Sequence, residues 1–230
     1  MTREPSADPR YVRVRAALVE ALMRLASQTP ADQIAVRDLT TQAGVSRQAF
    51  YGHADSPARL LAQTLIGELE PVISALGEAI ADPEARYERV WRDAYRAVLD
   101  HVRGHADVYR VMVTSNSAVF AVVVSAFEAP ARIYVTAIAA ALESGAPGEL
   151  WVEMAVQQQT SNLGAVIRAW ISTDMVDDPA TVVDTYMTLA PPWQLLRRDT
   201  RGRISMRRAR SLHTPHRSSQ DQEEGVGAGS

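Results

Sequence analysis

The stretch from Val36 to Leu61, VRDLTTQAGVSRQAFYGHADSPARLL, constrains the fold more than any other part of the chain. Val36, Leu39 and Ala43 are spaced i, i+3 and i+7, which places them on one apolar helical face. Gly44 follows, where a chain leaving a helix often needs a positive φ. Val45 then supplies an apolar plug, and Ser46 suits the N-cap of a second short helix. The spacing predicts that helix from Arg47 to about His53, burying Phe50 while Arg47, Gln48 and Tyr51 point elsewhere. On spacing alone this is either an αα-corner in an ordinary helical core or a helix-turn-helix, whose second helix is sized for the DNA major groove.

The residue types favour the second reading. AGVSRQAFYGHADSPARLL resembles the N-terminal domain of the tetracycline-repressor (TetR) family of regulators, through Gly44-Val45-Ser46, Phe50-Tyr51, His53 and Asp55-Ser56. The resemblance is specific over about residues 10–65 and continues by helix pattern alone to about 192. Arg47 is shaped for bidentate contact with guanine and Gln48 for adenine, while Ala49 and Gly52 allow close approach or contact with a thymine methyl. The resemblance implies DNA contacts for Tyr51, His53 and, on the preceding helix, Arg37; Thr41 joins them as a candidate. Three positions depart from the family pattern. Ala35 replaces a usual Thr, Ala54 a large apolar residue, and Pro57 a frequent Lys. The first and third remove phosphate contacts, which should lower non-specific affinity and its salt dependence. Arg10, Arg13, Arg59 or the C-terminal tail are the candidates to compensate.

Charge is partitioned in a way that suits a protein touching DNA at its edges. Residues 1–56 carry net +1, residues 57–196 net −8 and residues 197–230 net +4, and every one of the 24 basic side chains is Arg. With no cysteine there is neither a disulfide framework nor a thiolate site, which suits a cytoplasmic location. MTREPSADPR has no apolar core and does not read as a signal peptide. The longest near-continuous apolar run, Ala118 to Phe127, is about half a membrane span, so no membrane partner is expected.

The remaining pattern is helical throughout, giving an all-α chain of about nine helices. Residues 1–9 read as a flexible arm, 10–56 as the helix-turn-helix head, 57–196 as a helical body for ligand binding and dimerisation, and 197–230 as a disordered Arg-rich tail. Val14, Ala17, Leu18, Ala21, Leu22 and Leu25 trace the apolar stripe of a first helix over about 8–27. Ser56-Pro57, Asp82-Pro83 and Asp178-Pro179 each pair an N-cap with proline at the first helical position. They predict helices over 57–76, 83–103 and 179–190. Further helices are expected over about 105–113, over 117–144 with a kink at Pro130, and over 149–172 after the break at Gly145-Ala146-Pro147-Gly148.

Trp91, Tyr95, Tyr109, Met112, Phe120, Phe127 and Tyr134, with the polar Gln158 and Asn162, are candidates to line a ligand pocket. Arg132, Gln157 and Gln159 extend the polar set. Taken singly, each aromatic reads more readily as core. The resemblance implies a small-molecule effector of unknown identity that releases DNA. It also implies a homodimer built on the last two helices, with Ala155, Gln159, Ala165, Ala169, Val183 and Tyr186 as candidate interface residues on a double-stranded, palindromic operator. Two alternatives remain: a regulator without an effector, or a helical-bundle binding protein or enzyme with a degenerate head. No nucleophile–base pair or phosphate loop supports an enzyme. His101 and His105 stand at i, i+4 with Asp100 and Asp107 beside them, but Gly104 and a predicted helix end fall between. They read as surface histidines, and neither metal nor cofactor is expected.

Overall fold

The computed structural model describes residues 8–82, 86–142, 145 and 147–195. The expected arm before residue 8, the tail after 196, and the positions of Pro83 and Ala146 lie outside the described residues. Among those described there is no strand, and ten α-helices run in order: α1 Pro9–Ala26, α2 Val36–Ala43, α3 Arg47–Tyr51, α4 Pro57–Ala81, α5 Tyr87–Gly104, α6 Ala106–Thr114, α7 Ala118–Ser125, α8 Glu128–Ala141, α9 Glu149–Ser172 and α10 Pro179–Leu189. A 3-10 turn at Pro192–Leu195 follows.

Local chemistry explains where these helices start. The Asp8 carboxylate accepts from Arg10 N at 2.8 Å, Ser56 Oγ from Arg59 N at 3.1 Å and the Asp178 carboxylate from Thr181 N at 2.8 Å, each just before a proline. Two expectations need correction. The helix predicted to stop at 76 continues to Ala81, because Leu76 and Ile80 extend its buried stripe and nothing between them terminates it. Pro71 sits inside this helix; its missing N–H leaves one carbonyl of the preceding turn without its usual helical donor. The helix predicted over 117–144 is two helices, so the described residues hold ten where about nine were expected. The chain breaks at Ala126-Phe127, with Phe127 turned into the core, and Pro130 lies in the first turn of α8, where its lack of an N–H costs nothing.

α1 packs on α2, α4 and α6, so the first three helices are fastened to the rest along two of its elements. α4 runs through the middle against α5, α7 and α8, while α9 covers α8 and α7 and α10 lies on α5 and α9. One continuous apolar core results. It runs from Leu18, Leu22, Leu39 and Phe50 through Leu60, Leu61, Leu65 and Leu69 to Tyr134 and Ile138. Each such side chain taken fully out of water contributes about 1.5–3 kcal/mol. At the far end, Trp170 Nε1 and Arg103 Nη2 both donate to the Asp177 carbonyl, at 2.9 and 3.1 Å, joining α9 and α5 to the turn before α10. Among the described residues no single helix is long and apolar enough to cross a membrane.

Candidate DNA-binding surface

The turn between α2 and α3 is set by one backbone requirement. Gly44 adopts φ 65°, ψ 30°, and Val45 N donates back to Thr40 O at 3.0 Å, closing α2. A Cβ at Gly44 would meet nothing within 4 Å, so the left-handed conformation, not space, requires glycine here. Val45 packs against the core, and Ser46 Oγ accepts from Ala49 N at 3.1 Å to start α3. α3 turns Phe50 wholly inward. Arg47, Gln48 and Tyr51 are left outside, and Tyr51 is 59 % exposed despite its aromatic ring.

Most of the candidate DNA-contacting residues are accessible. Arg37 and Thr41 on α2 and Arg47, Gln48 and Tyr51 on α3 are exposed, and Ala49 is half-buried where α3 meets α1. Arg10, Arg13, Arg37 and Arg47 form no ion pair with any described acid, so their guanidinium groups are available to phosphate or base edges. His53 behaves differently from its neighbours. Its ring lies 3.9 Å from that of Tyr11, and its Nδ1 is buried without a described partner. Burial, helped by the Arg15 charge, holds its pKa below the ordinary histidine value. A cleft of about 340 Å³ between the start of α1 and α3 is lined by Asp8, Arg10, Tyr11, Gln48, Ala49 and His53, among others. Ala54, the small residue at the α3–α4 junction, is buried and donates its N–H to Phe50 O at 3.2 Å.

In the body, the aromatic pocket candidates pack on one another. Trp91 and Tyr134 meet edge to face at 5.1 Å, Tyr95 stacks on Tyr186 at 4.6 Å, and Tyr109, Met112, Phe120 and Phe127 are buried in the same core. Asn162 Nδ2 donates to the Tyr186 hydroxyl at 3.2 Å, whereas Gln158 is exposed and accepts from Trp193 Nε1 at 3.3 Å. Arg132 is engaged at the surface by Glu153, at 2.5 and 3.0 Å, bridging α8 and α9. A groove lies elsewhere, between α4 and α5. It measures about 600 Å³, with Val72, Ala75, Leu76, Val90 and Ala94 lining it and Arg86, Arg89, Asp82 and Asp93 at its charged margin. The groove is lined by small and aliphatic side chains with no aromatic ring, so a search for aromatic residues does not mark it.

The candidate interface residues divide in the same way. Ala165 and Ala169 are exposed, whereas Ala155, Gln159 and Val183 are buried within the chain's own core, and Tyr186, also buried, lines the floor of an outward-facing depression. Gln159 is 2 % exposed with both amide atoms unpartnered among the described residues. What α9 and α10 do present outward is a shallow apolar depression of about 230 Å³ that includes Val166, Ala169, Val182 and Leu189, the last 76 % exposed. The two histidines read as surface residues are also placed differently. His105 Nε2 lies 2.7 Å from Glu68 Oε2, and His101 Nε2 lies 3.1 Å from the Tyr109 hydroxyl. Burial, reinforced by the neighbouring His105 charge, brings His101 down to about 4.

No protein-family model matches the sequence, and no curated protein matches it. Solved structures do. The chain is similar to the transcriptional regulator FadR from Bacillus subtilis in complex with stearoyl-CoA, at 14 % identity and a TM-score of 0.58 over 76 % of this chain and 96 % of that one. It is similar to the fatty acid degradation regulator FadR from Bacillus halodurans at 13 % identity and 0.54, over 79 % and 94 %. A complex of SmeT with triclosan matches at 13 % identity and 0.50, over 76 % and 90 %. The fold is that of the TetR-like transcriptional regulators. Of the helix-turn-helix residues quoted from the sequence, Arg37, Thr41, Arg47, Gln48 and Tyr51 are exposed, Ala49 and His53 are half-buried and Phe50 is buried. Tyr11, whose ring packs on His53, and Arg15, whose charge bears on it, are not signalled by the sequence because α1 meets α3 only through tertiary packing.

Proposed function

We propose that this chain is a DNA-binding transcriptional regulator that acts as a homodimer, a repressor released from a palindromic operator by a small-molecule effector, and not an enzyme. The observation that carries the reading is the α2–α3 surface, where Arg37, Thr41, Arg47, Gln48 and Tyr51 are all exposed while Phe50 anchors the helix from behind. Its test is fluorescence anisotropy on duplex DNA flanking the chain's own gene, against scrambled DNA, across a salt titration. Tighter binding to the first supports a sequence reader; equal binding at every salt concentration overturns it.

One head spans only a few base pairs, and two heads on half-sites a helical turn apart require a two-fold dimer. The exposed apolar face of α9 and α10 supplies the surface. Ala169→Arg combined with Leu189→Asp is expected to convert the dimer to monomer in light scattering after size exclusion. A double variant that stays dimeric moves the interface elsewhere.

The α4–α5 groove is our choice of effector site, because α4 leaves the head directly and the groove is apolar within a charged margin. That FadR holds stearoyl-CoA and SmeT triclosan supports an apolar effector for this fold. A ligand at 100 times its Kd stabilises the folded state by about 2.7 kcal/mol. Compounds that raise the Tm of the wild type in a screen of acyl and aromatic molecules are expected to leave Ala94→Trp unchanged. Equal shifts in both proteins rule the groove out. The packed aromatic core favours a second reading, a regulator with no effector, and a screen without hits supports it.

A further inference from the structure

Metal-ligating side chains converge at one point outside the head. Glu68 from α4, His101 from the last turn of α5 and His105 at the α5–α6 junction each offer one donor atom, and the three donors lie within 4.8 Å of one another. His105 Nε2 is 2.7 Å and His101 Nδ1 3.6 Å from the same oxygen, Glu68 Oε2. Around a tetrahedral zinc ion with nitrogen and oxygen ligands at about 2.0–2.2 Å, neighbouring donors stand about 3.4 Å apart. The observed separations bracket that edge, so side-chain rotations suffice to close the site.

A second contact holds one ligand in the required orientation. His101 Nε2 lies 3.1 Å from the hydroxyl of buried Tyr109. An Nε2–H donated to that oxygen leaves the Nδ1 lone pair facing Glu68 and His105. Metal-ligating histidines are commonly fixed by such an outer hydrogen bond. At 3.6 Å, Nδ1 and the Glu68 oxygen are too far apart to share a hydrogen bond of their own, and a cation between them satisfies both. Side-chain exposure rises from 12 % at His101 to 28 % at His105 and 41 % at Glu68, so the cluster has a buried back and an open front.

We propose that Glu68, His101 and His105 bind one divalent transition-metal ion of the zinc type, with a further coordination position open to water or a small ligand. Two imidazoles and a carboxylate suit zinc, nickel or cobalt over the all-oxygen preferences of magnesium and calcium. Glu68 stands one turn before Val72 and His101 one turn after Ala97, so the ion closes the head-proximal end of the α4–α5 groove. It ties α4 to the α5–α6 junction.

The test is a cobalt(II) titration of the full, tag-free chain, followed by the visible absorption of the bound ion and by competition with zinc. We expect one cobalt per chain, displaced by zinc. Glu68→Gln and His105→Gln should each weaken binding about tenfold or more, with both variants retaining the wild-type circular dichroism because both side chains are partly exposed. A chain carrying His213→Ala and His216→Ala, which removes the two histidines near the C-terminus, should bind as the wild type does. Absence of bound cobalt, binding indifferent to Glu68→Gln and His105→Gln, or binding lost with the two C-terminal histidines each overturns the assignment. If one of the two variants misfolds, the other decides alone.

Discussion

Replacing Arg47 and Gln48 together by alanine is expected to abolish the difference in affinity between operator and scrambled DNA while leaving the fold intact. Both side chains are exposed on α3, and neither packs in the core. A well-placed bidentate contact to a base contributes about 1–3 kcal/mol of discrimination. Losing two should therefore weaken specific binding about 100-fold or more, since every 1.4 kcal/mol is about tenfold. Binding to scrambled DNA should change far less, because phosphate contacts from Arg10, Arg13 and Arg37 remain. Anisotropy on both duplexes, with circular dichroism as the control for folding, measures this directly. A double variant that still prefers the operator would place base recognition outside α3 and end the reading of this surface as the sequence reader.

Phe50→Ala is expected to give the largest loss of stability of any single change in the head. The ring is wholly buried, and α3 is only five residues long, too short to persist without it. Truncating a buried phenylalanine costs about 3–5 kcal/mol. For a chain of this size, each kcal/mol lowers the Tm by about 2–4 °C, so calorimetry should show a fall of roughly 10 °C. DNA binding should be lost with it, because Arg47 and Gln48 depend on the anchored helix for their position. A Tm within a degree or two of wild type would mean that α3 is held by something other than Phe50.

The parts of this molecule legible from the sequence are those governed by neighbours along the chain. Ser46, Ser56 and Asp178 cap within three residues, and Gly44 reports its own backbone, so the starts of α3, α4 and α10 could be read directly. The exposure of Arg47, Gln48 and Tyr51 around an inward Phe50 followed from the same local logic. What could not be read depends on partners distant in sequence. Phe127 breaks a helix where Pro130 alone pointed to a kink, because the core accepts its ring. Val183 carries the residue type of an interface, yet it is buried in the chain's own core. Glu68 is 37 positions from His105, and no spacing rule joins them.

The length of α4 gives the groove mechanical reach. This helix has 25 residues and joins the head at Pro57, fourteen positions before the groove begins at Pro71. At 1.5 Å per residue that arm is about 21 Å long. A tilt of about 5° at the groove would therefore swing the head end by about 1.8 Å. In a two-fold dimer both heads swing, and their separation changes by about 3.6 Å, close to the rise of about 3.4 Å of a single base pair. In the dimer and effector site proposed above, a wedge no thicker than a methylene chain at one end of such a lever would put the two heads out of step with DNA by one rung.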